Sequence, residues 1–187
     1  MFGRIESMLA RLVTRRLSEF SSDTRGLSAV EFALLLPLML TLYLGGVELS
    51  QAISIDRKVT LTARTVADLV SQFSSIDTTN INASLGAAST VLAPYPDSKA
   101  KVTVSVVDID ANGVAKVKWS NSKNGTPRAA GSTVTIPAAL NIPSTSLVWG
   151  EVSYDYQPSI GYVVTGNLNL NDQIFMRPRK SDTIPKT

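Results

Sequence analysis

From Leu27 to Val47 the chain runs for 21 residues with Glu31 as its only charge. An α-helix rises about 1.5 Å per residue, so such a stretch reaches across the roughly 30 Å of hydrocarbon in a bilayer. A buried core helix is the competing explanation, yet a run such as Phe32-Ala33-Leu34-Leu35-Leu36-Pro37-Leu38-Met39-Leu40 has no polar face to turn toward water. The pattern therefore predicts a transmembrane helix over residues 27–47. Within about twenty residues on either side, Arg11, Arg15, Arg16 and Arg25 precede the span and Arg57, Lys58 and Arg64 follow it. This small bias favours a cytoplasmic N-terminus, with the bulk of the chain on the far side of the membrane.

A cleaved signal peptide competes with a permanent anchor, because Ser50-Gln51-Ala52 resembles a small-x-small site. The apolar run exceeds the about 7–15 residues of a signal peptide, and the charged Glu48 sits inside the cleavage region. Ahead of the span, Ile5, Met8, Leu9, Leu12 and Val13 recur at helical spacing between arginines, which predicts an amphipathic helix on the inner membrane surface.

Glu31 is costly where it stands. A carboxylate at mid-membrane costs about 2.5–3.5 kcal/mol on insertion scales, so a compensating partner is expected. A cut between Gly26 and Leu27 would create one: the new α-ammonium of Leu27 lies four residues before Glu31, on the same helix face. At about 4 Å and an effective dielectric near 20, the two attract by roughly 4 kcal/mol before desolvation. The carboxylate is equally able to meet the Leu27 ammonium of an adjacent subunit, which would set axial register in a helical assembly.

Arg25-Gly26-Leu27-Ser28-Ala29-Val30-Glu31-Phe32 resembles the processing site of class III prepilins and of type IV pilins generally. Ala29-Val30-Glu31-Phe32-Ala33-Leu34 followed by Pro37 resembles in particular the Tad (tight adherence) pseudopilins of the TadE and TadG type. The resemblance implies that a prepilin peptidase cuts after Gly26, that Glu31 supports assembly, and that the partners are this peptidase, other pilin and pseudopilin subunits and the inner membrane. It further implies a minor pilin or pseudopilin whose C-terminal domain is periplasmic before incorporation into an extracellular pilus, where it serves assembly or adhesion. Val152-Ser153-Tyr154-Asp155-Tyr156-Gln157-Pro158 and Ile174-Phe175-Met176-Arg177-Pro178-Arg179 resemble the closing strands of TadE-type proteins. The large additional domain of many TadG-type members has no counterpart in this length. The rival from another class is an uncleaved, membrane-anchored periplasmic binding or sensing domain.

Beyond the span, Leu49, Ile53, Val59, Val66, Leu69, Val70 and Phe73 recur among polar neighbours, predicting an amphipathic helix over 48–74. It either continues the membrane helix as a stalk, with kinks at Pro37 and Gly45-Gly46, or packs separately on the outer domain. Residues 74–80 read as a loop, and Ile81, Leu85, Ala88 and Val91 as a short helix ended by Pro94 and Pro96. Lys101–Val106 alternates, and Val114–Trp119 alternates again across the turn Asp110-Ala111-Asn112-Gly113, which is a hairpin signal. Asn124-Gly125 marks another turn, and residues 146–156 and 173–177 read as further strands, with Tyr154 and Tyr156 on one face. The expected architecture is α+β: a leader over 1–26, the membrane helix, the stalk over 48–74, and over 75–187 a pilin-like antiparallel sheet with helices on one face.

Cys and His are absent from the 187 residues, so no disulfide stabilises the fold and neither thiolate nor imidazole chemistry is open to it. With no acid–base pair, phosphate loop or nucleophile motif either, an enzyme is not expected, and no cofactor or metal. The net charge is +3, to which residues 1–26 contribute five Arg against Glu6, Glu19 and Asp23. Lys99, Lys101, Lys116, Lys118, Lys123 and Arg128 read as a solvated strand face rather than a nucleic-acid surface, since Trp119 is the lone aromatic among them. Asp108-Ile109-Asp110-Ala111-Asn112-Gly113 matches the opening of a calcium loop, but Lys116 and Trp119 stand at its ninth and twelfth positions, where a bidentate Glu is required at the twelfth. A hairpin turn accounts for the same residues.

Overall fold

The computed structural model describes residues 24–158 and 166–187, in two compact units that meet in sequence between Gly46 and Val47. The expected leader helix over residues 5–13 lies outside the described residues. Helix α1 (Thr24–Ser71) has Pro37 in its interior and runs through Gly45-Gly46 without a break. Thr41 Oγ1 donates to the Pro37 carbonyl at 2.8 Å, four residues back, as a threonine does in a helix with no better partner.

The outer unit is a four-stranded antiparallel sheet covered on one face by helices. Strands β1 (Ala100–Ile109), β2 (Ala115–Lys123), β3 (Thr145–Tyr156) and β4 (Leu168–Met176) are arranged in the order β2-β1-β3-β4. Helix α2 (Thr78–Thr90) starts earlier than the apolar spacing predicts, because Asp77 caps it: its Oδ1 accepts the Asn80 N–H at 2.6 Å. Strand β4 is likewise longer than the 173–177 read from sequence. Its first half, with Asn169, Asn171 and Asp172, is an edge strand whose polar residues carry no burial signal.

The inner face of the sheet buries Val102, Val104 and Val106 of β1, Trp119 of β2, and Val148, Val152, Tyr154 and Tyr156 of β3. Against them pack Ile55, Val59, Ala63, Val66, Ala67 and Val70 of α1, and Ile81, Leu85 and Ala88 of α2. The α1 residues recur three or four positions apart, Ile55, Val59, Ala63, Val66 and Val70 in turn with Ala67 four after Ala63, which is one face of a helix. This buried stripe differs from the one read from sequence: Leu49 and Ile53 are exposed, while Ala63 and Ala67, too small to register as core, are buried. The 47–71 part of α1 is thus both continuous with the preceding apolar segment and packed on the sheet. An outer domain folding by itself from about Ser74 does not fit this packing, since the inner face would lose its cover.

On the opposite face a smaller cluster joins Val107, Ile109, Ala115, Leu147 and Trp149 to Ile136 of the loop before β3. One bulge explains how β2 serves both faces. Trp119 is opposite Val106 but Val117 is opposite Val107, so Lys118 is the extra residue and the alternation changes phase there. Residues near the C-terminus close the inner core: Ile184 is fully buried, Trp119 Nε1 donates to its carbonyl at 2.7 Å, and Ile76 N–H donates to the Pro185 carbonyl at 3.0 Å.

Candidate functional site

The sequence-derived site residues all fall in the first two turns of α1. Gly26 is the third residue of the helix and Leu27 the fourth. Among the described residues, a Cβ built on Gly26 meets nothing within 4 Å. Glu31 follows Leu27 by four residues, about 6 Å along the axis and on the same face. Its side chain is exposed.

A free ammonium at Leu27 would sit at the positive end of the helix dipole, which is unfavourable by itself. A carboxylate one turn later, at Glu31, would offset both. This spacing suits a charge pair made within one chain or between adjacent helices.

The segment from Gly26 onward is apolar on every side. Leu34, Leu35, Leu38, Met39, Leu42 and Tyr43 are all more than half exposed, and the helix is long and apolar enough to cross a membrane. A helix greasy all round requires lipid or other helices around it. Ser50-Gln51-Ala52 falls in the interior of α1, where Glu48 is only 2% exposed and Ala52 packs against the core. A cut after Ala52 would sever a packed helix.

Sequence reasoning missed the environment of Glu48, reading it only as a charge in a cleavage region. The hydroxyl of Tyr156 donates to the Glu48 carbonyl at 3.4 Å and to Gln51 Oε1 at 3.5 Å, both long contacts. Burial, then the charges of Glu48 and Tyr95, push the Tyr156 hydroxyl above the usual phenol range. The phenol therefore stays neutral and serves as a donor. The signal in the sequence was the tyrosine at the end of a largely buried strand, where a hydroxyl needs a partner.

The calcium-like hexapeptide forms the β1–β2 hairpin turn. Asp110 Oδ1 accepts the N–H groups of Asn112 at 2.8 Å and Val114 at 2.9 Å, while Gly113 adopts φ +78°. Asp108 accepts from Ser146 Oγ and, at 2.9 Å, from Thr183 Oγ1, and pairs with Lys118 at 3.0 Å. Burial raises its carboxyl pKa, but the bonds from Ser146, Lys118 and Thr183 and the Lys118 charge outweigh that and hold it below the usual range. Three further cations on this unit are also matched: Lys123 with Asp97, Lys101 with Asp155, and Arg128 with Glu151.

Residues 26–68 match the TadE-like protein family. The matched stretch contains Gly26, Leu27 and Glu31, the whole apolar segment, and the part of α1 that packs on the sheet as far as Ala67. No curated protein and no solved structure matches the chain.

Proposed function

From the premise that residues 26–68 form a TadE-like segment, we propose that the chain is a Tad-type pseudopilin. In this reading a prepilin peptidase removes residues 1–26, and the processed subunit enters or primes a pilus through its apolar helix. The observation that carries the proposal is the coincidence in one stretch of the family match, a helix long and apolar enough to cross a membrane, and a carboxylate four residues after a leucine that follows glycine.

The division of labour follows from the chemistry. Before processing, residues 27–47 anchor the chain in the inner membrane with the N-terminus cytoplasmic and the outer unit periplasmic. Cleavage converts the Gly26 carbonyl to a carboxylate and leaves a Leu27 ammonium. That ammonium meets Glu31 of its own or a neighbouring chain, and the exposed leucines exchange lipid for the helices of other subunits. The role is structural rather than catalytic. The test is processing followed by incorporation: membranes of a cell with an active Tad system should contain a form beginning at Leu27, and sheared pili should contain the same form. Retention of an intact, uncleaved chain in the membrane of a piliated cell would instead support a permanent anchor for a binding or sensing domain.

A further inference from the structure

The outer face of the sheet carries an ordered polar platform that neither the family match nor the pilus reading uses. Two cross-strand rows run over β1, β3 and β4: Lys101 beside Ser153 beside Asn171, and Thr103 beside Glu151 beside Gln173. The next row, Ser105, Trp149 and Phe175, begins the smaller apolar cluster. The polar rows border an open groove of about 480 Å³, walled on one side by Gly125, Thr126 and Arg128. Gly125 permits that wall, because a Cβ there would stand 2.6 Å from Ser122 Oγ and 3.4 Å from Lys101 Cβ.

An ordinary solvated sheet face carries long side chains free to move. Here the central ones are held. Glu151 is gripped through both oxygens by Arg128, and the guanidinium lies 3.9 Å from the Trp149 ring centroid. Trp149 stacks on Phe175 at 5.0 Å, and its Nε1 donates at 3.1 Å to Gln173 Oε1. With its oxygen so occupied, the Gln173 amide turns its NH₂ donors away from the tryptophan. Thr103 Oγ1 is fixed by Ser122 Oγ at 2.8 Å. Polar groups immobilised before a ligand arrives lose little entropy on binding it.

We propose that this groove binds a neutral, hydroxyl-rich ligand, that is, a glycan segment. Charge selects against an ionic ligand, since Arg128 is paired with Glu151 and Lys101 with Asp155, which leaves neither cation free to select an anion. What remains is an array of amides, hydroxyls and a fixed carboxylate, which offers donors and acceptors side by side as the hydroxyls of a sugar require. An extended peptide fits less well: β1 and β3, which form the floor of the groove, are hydrogen-bonded on both sides, and Val152 is the only aliphatic residue in the lining, so alternate side chains of a peptide would find no apolar pocket there. The proposal does not rest on the pseudopilin reading.

The test uses the full-length protein in a zwitterionic detergent, because glycosidic detergents would compete. The probes are neutral gluco-, galacto-, manno- and N-acetylglucosamine oligosaccharides, with sialylated and phosphorylated sugars and an extended polar peptide as comparison arms, followed by calorimetry and ligand-observed NMR. At least one neutral oligosaccharide should bind with a Kd of about 1 mM or tighter. Asn171→Ala and Gln173→Ala should each weaken it by about tenfold or more, while Lys116→Ala, outside the groove, leaves it unchanged. The Asn171 variant guards against misreading, because that exposed side chain does not support Trp149. Absence of binding by every neutral probe, tighter binding of the charged sugars or the peptide, or affinity indifferent to both variants would each overturn the proposal.

Discussion

Gly150 of β3 lies against Ala63 of α1 so closely that a Cβ on the glycine would stand 2.5 Å from the Ala63 carbonyl oxygen, with Val66 Cγ1 at 3.0 Å and Ala67 Cβ at 3.1 Å. The helix crosses the sheet where three small residues meet. Backbone, unlike a flexible side-chain end, yields only if α1 moves. Gly150→Ala should therefore destabilise the outer unit by about 1–3 kcal/mol, the range for overpacking, read as a lowered urea midpoint with an unchanged slope. A variant as stable as the parent would show that α1 is not seated on β3 as described.

The same packing sets a boundary for any soluble fragment. Ile55, Val59, Val66 and Val70 are each buried to 2% exposure or less, and burying such side chains is worth about 1.5–3 kcal/mol apiece. Their sum is comparable to the whole stability of a domain, about 5–15 kcal/mol. A fragment of residues 47–187 should unfold cooperatively, and one of residues 74–187 should be aggregated or lack a transition. Circular dichroism during thermal unfolding of the two separates them, and a cooperative transition in the shorter one contradicts the assignment of α1 to the core.

Much of this was legible in the sequence and some was not, for physical reasons. The apolar run of residues 27–47 and the alternation in β1 and β3 announce themselves because one environment acts on many consecutive residues. Ala63, Ala67 and Gly150 do not, since the close approach that makes them informative exists only once helix and sheet are together. The Lys118 bulge was hidden because Ala115, Val117 and Trp119 alternate evenly in sequence while the strand changes phase beneath them. Gly26, Leu27 and Glu31 were readable as a motif, whereas the Trp149–Gln173 and Arg128–Glu151 contacts that order the outer face depend on cross-strand register.

Acid should weaken the outer unit partly through Asp108. Its folded carboxyl pKa lies below the ordinary value of about 3.9, so the unfolded chain takes up the proton first. The stabilisation is therefore fully present above the unfolded pKa and is lost as pH falls through the folded one. Asp108→Asn should lower stability at about pH 7 and show a smaller further loss than the parent between about pH 5 and pH 2. Urea midpoints of residues 47–187 across that range test this, and parallel curves for the two proteins would show that the bonds to Ser146, Thr183 and Lys118 carry no net protonation dependence.

Glu31 should matter after insertion rather than during it. Glu31→Ala removes the insertion cost of a carboxylate, about 2.5–3.5 kcal/mol at mid-membrane and less near the end of a span, so the variant should reach the membrane at least as well as the parent. Glu31→Gln keeps volume and polarity but not charge, which separates the ion pair from packing. Both should be processed yet under-represented in sheared pili relative to their membrane pools. Normal incorporation of both would reduce Glu31 to an incidental charge.

The central claim is that the chain is cut between Gly26 and Leu27. Intact-mass measurement with N-terminal sequencing, on protein extracted from the membranes of cells with an active Tad system, addresses it directly. The account predicts a chain beginning at Leu27 and, for Gly26→Trp, accumulation of the uncut precursor. A chain beginning at Met1 in piliated cells, or at Ile53, would contradict it.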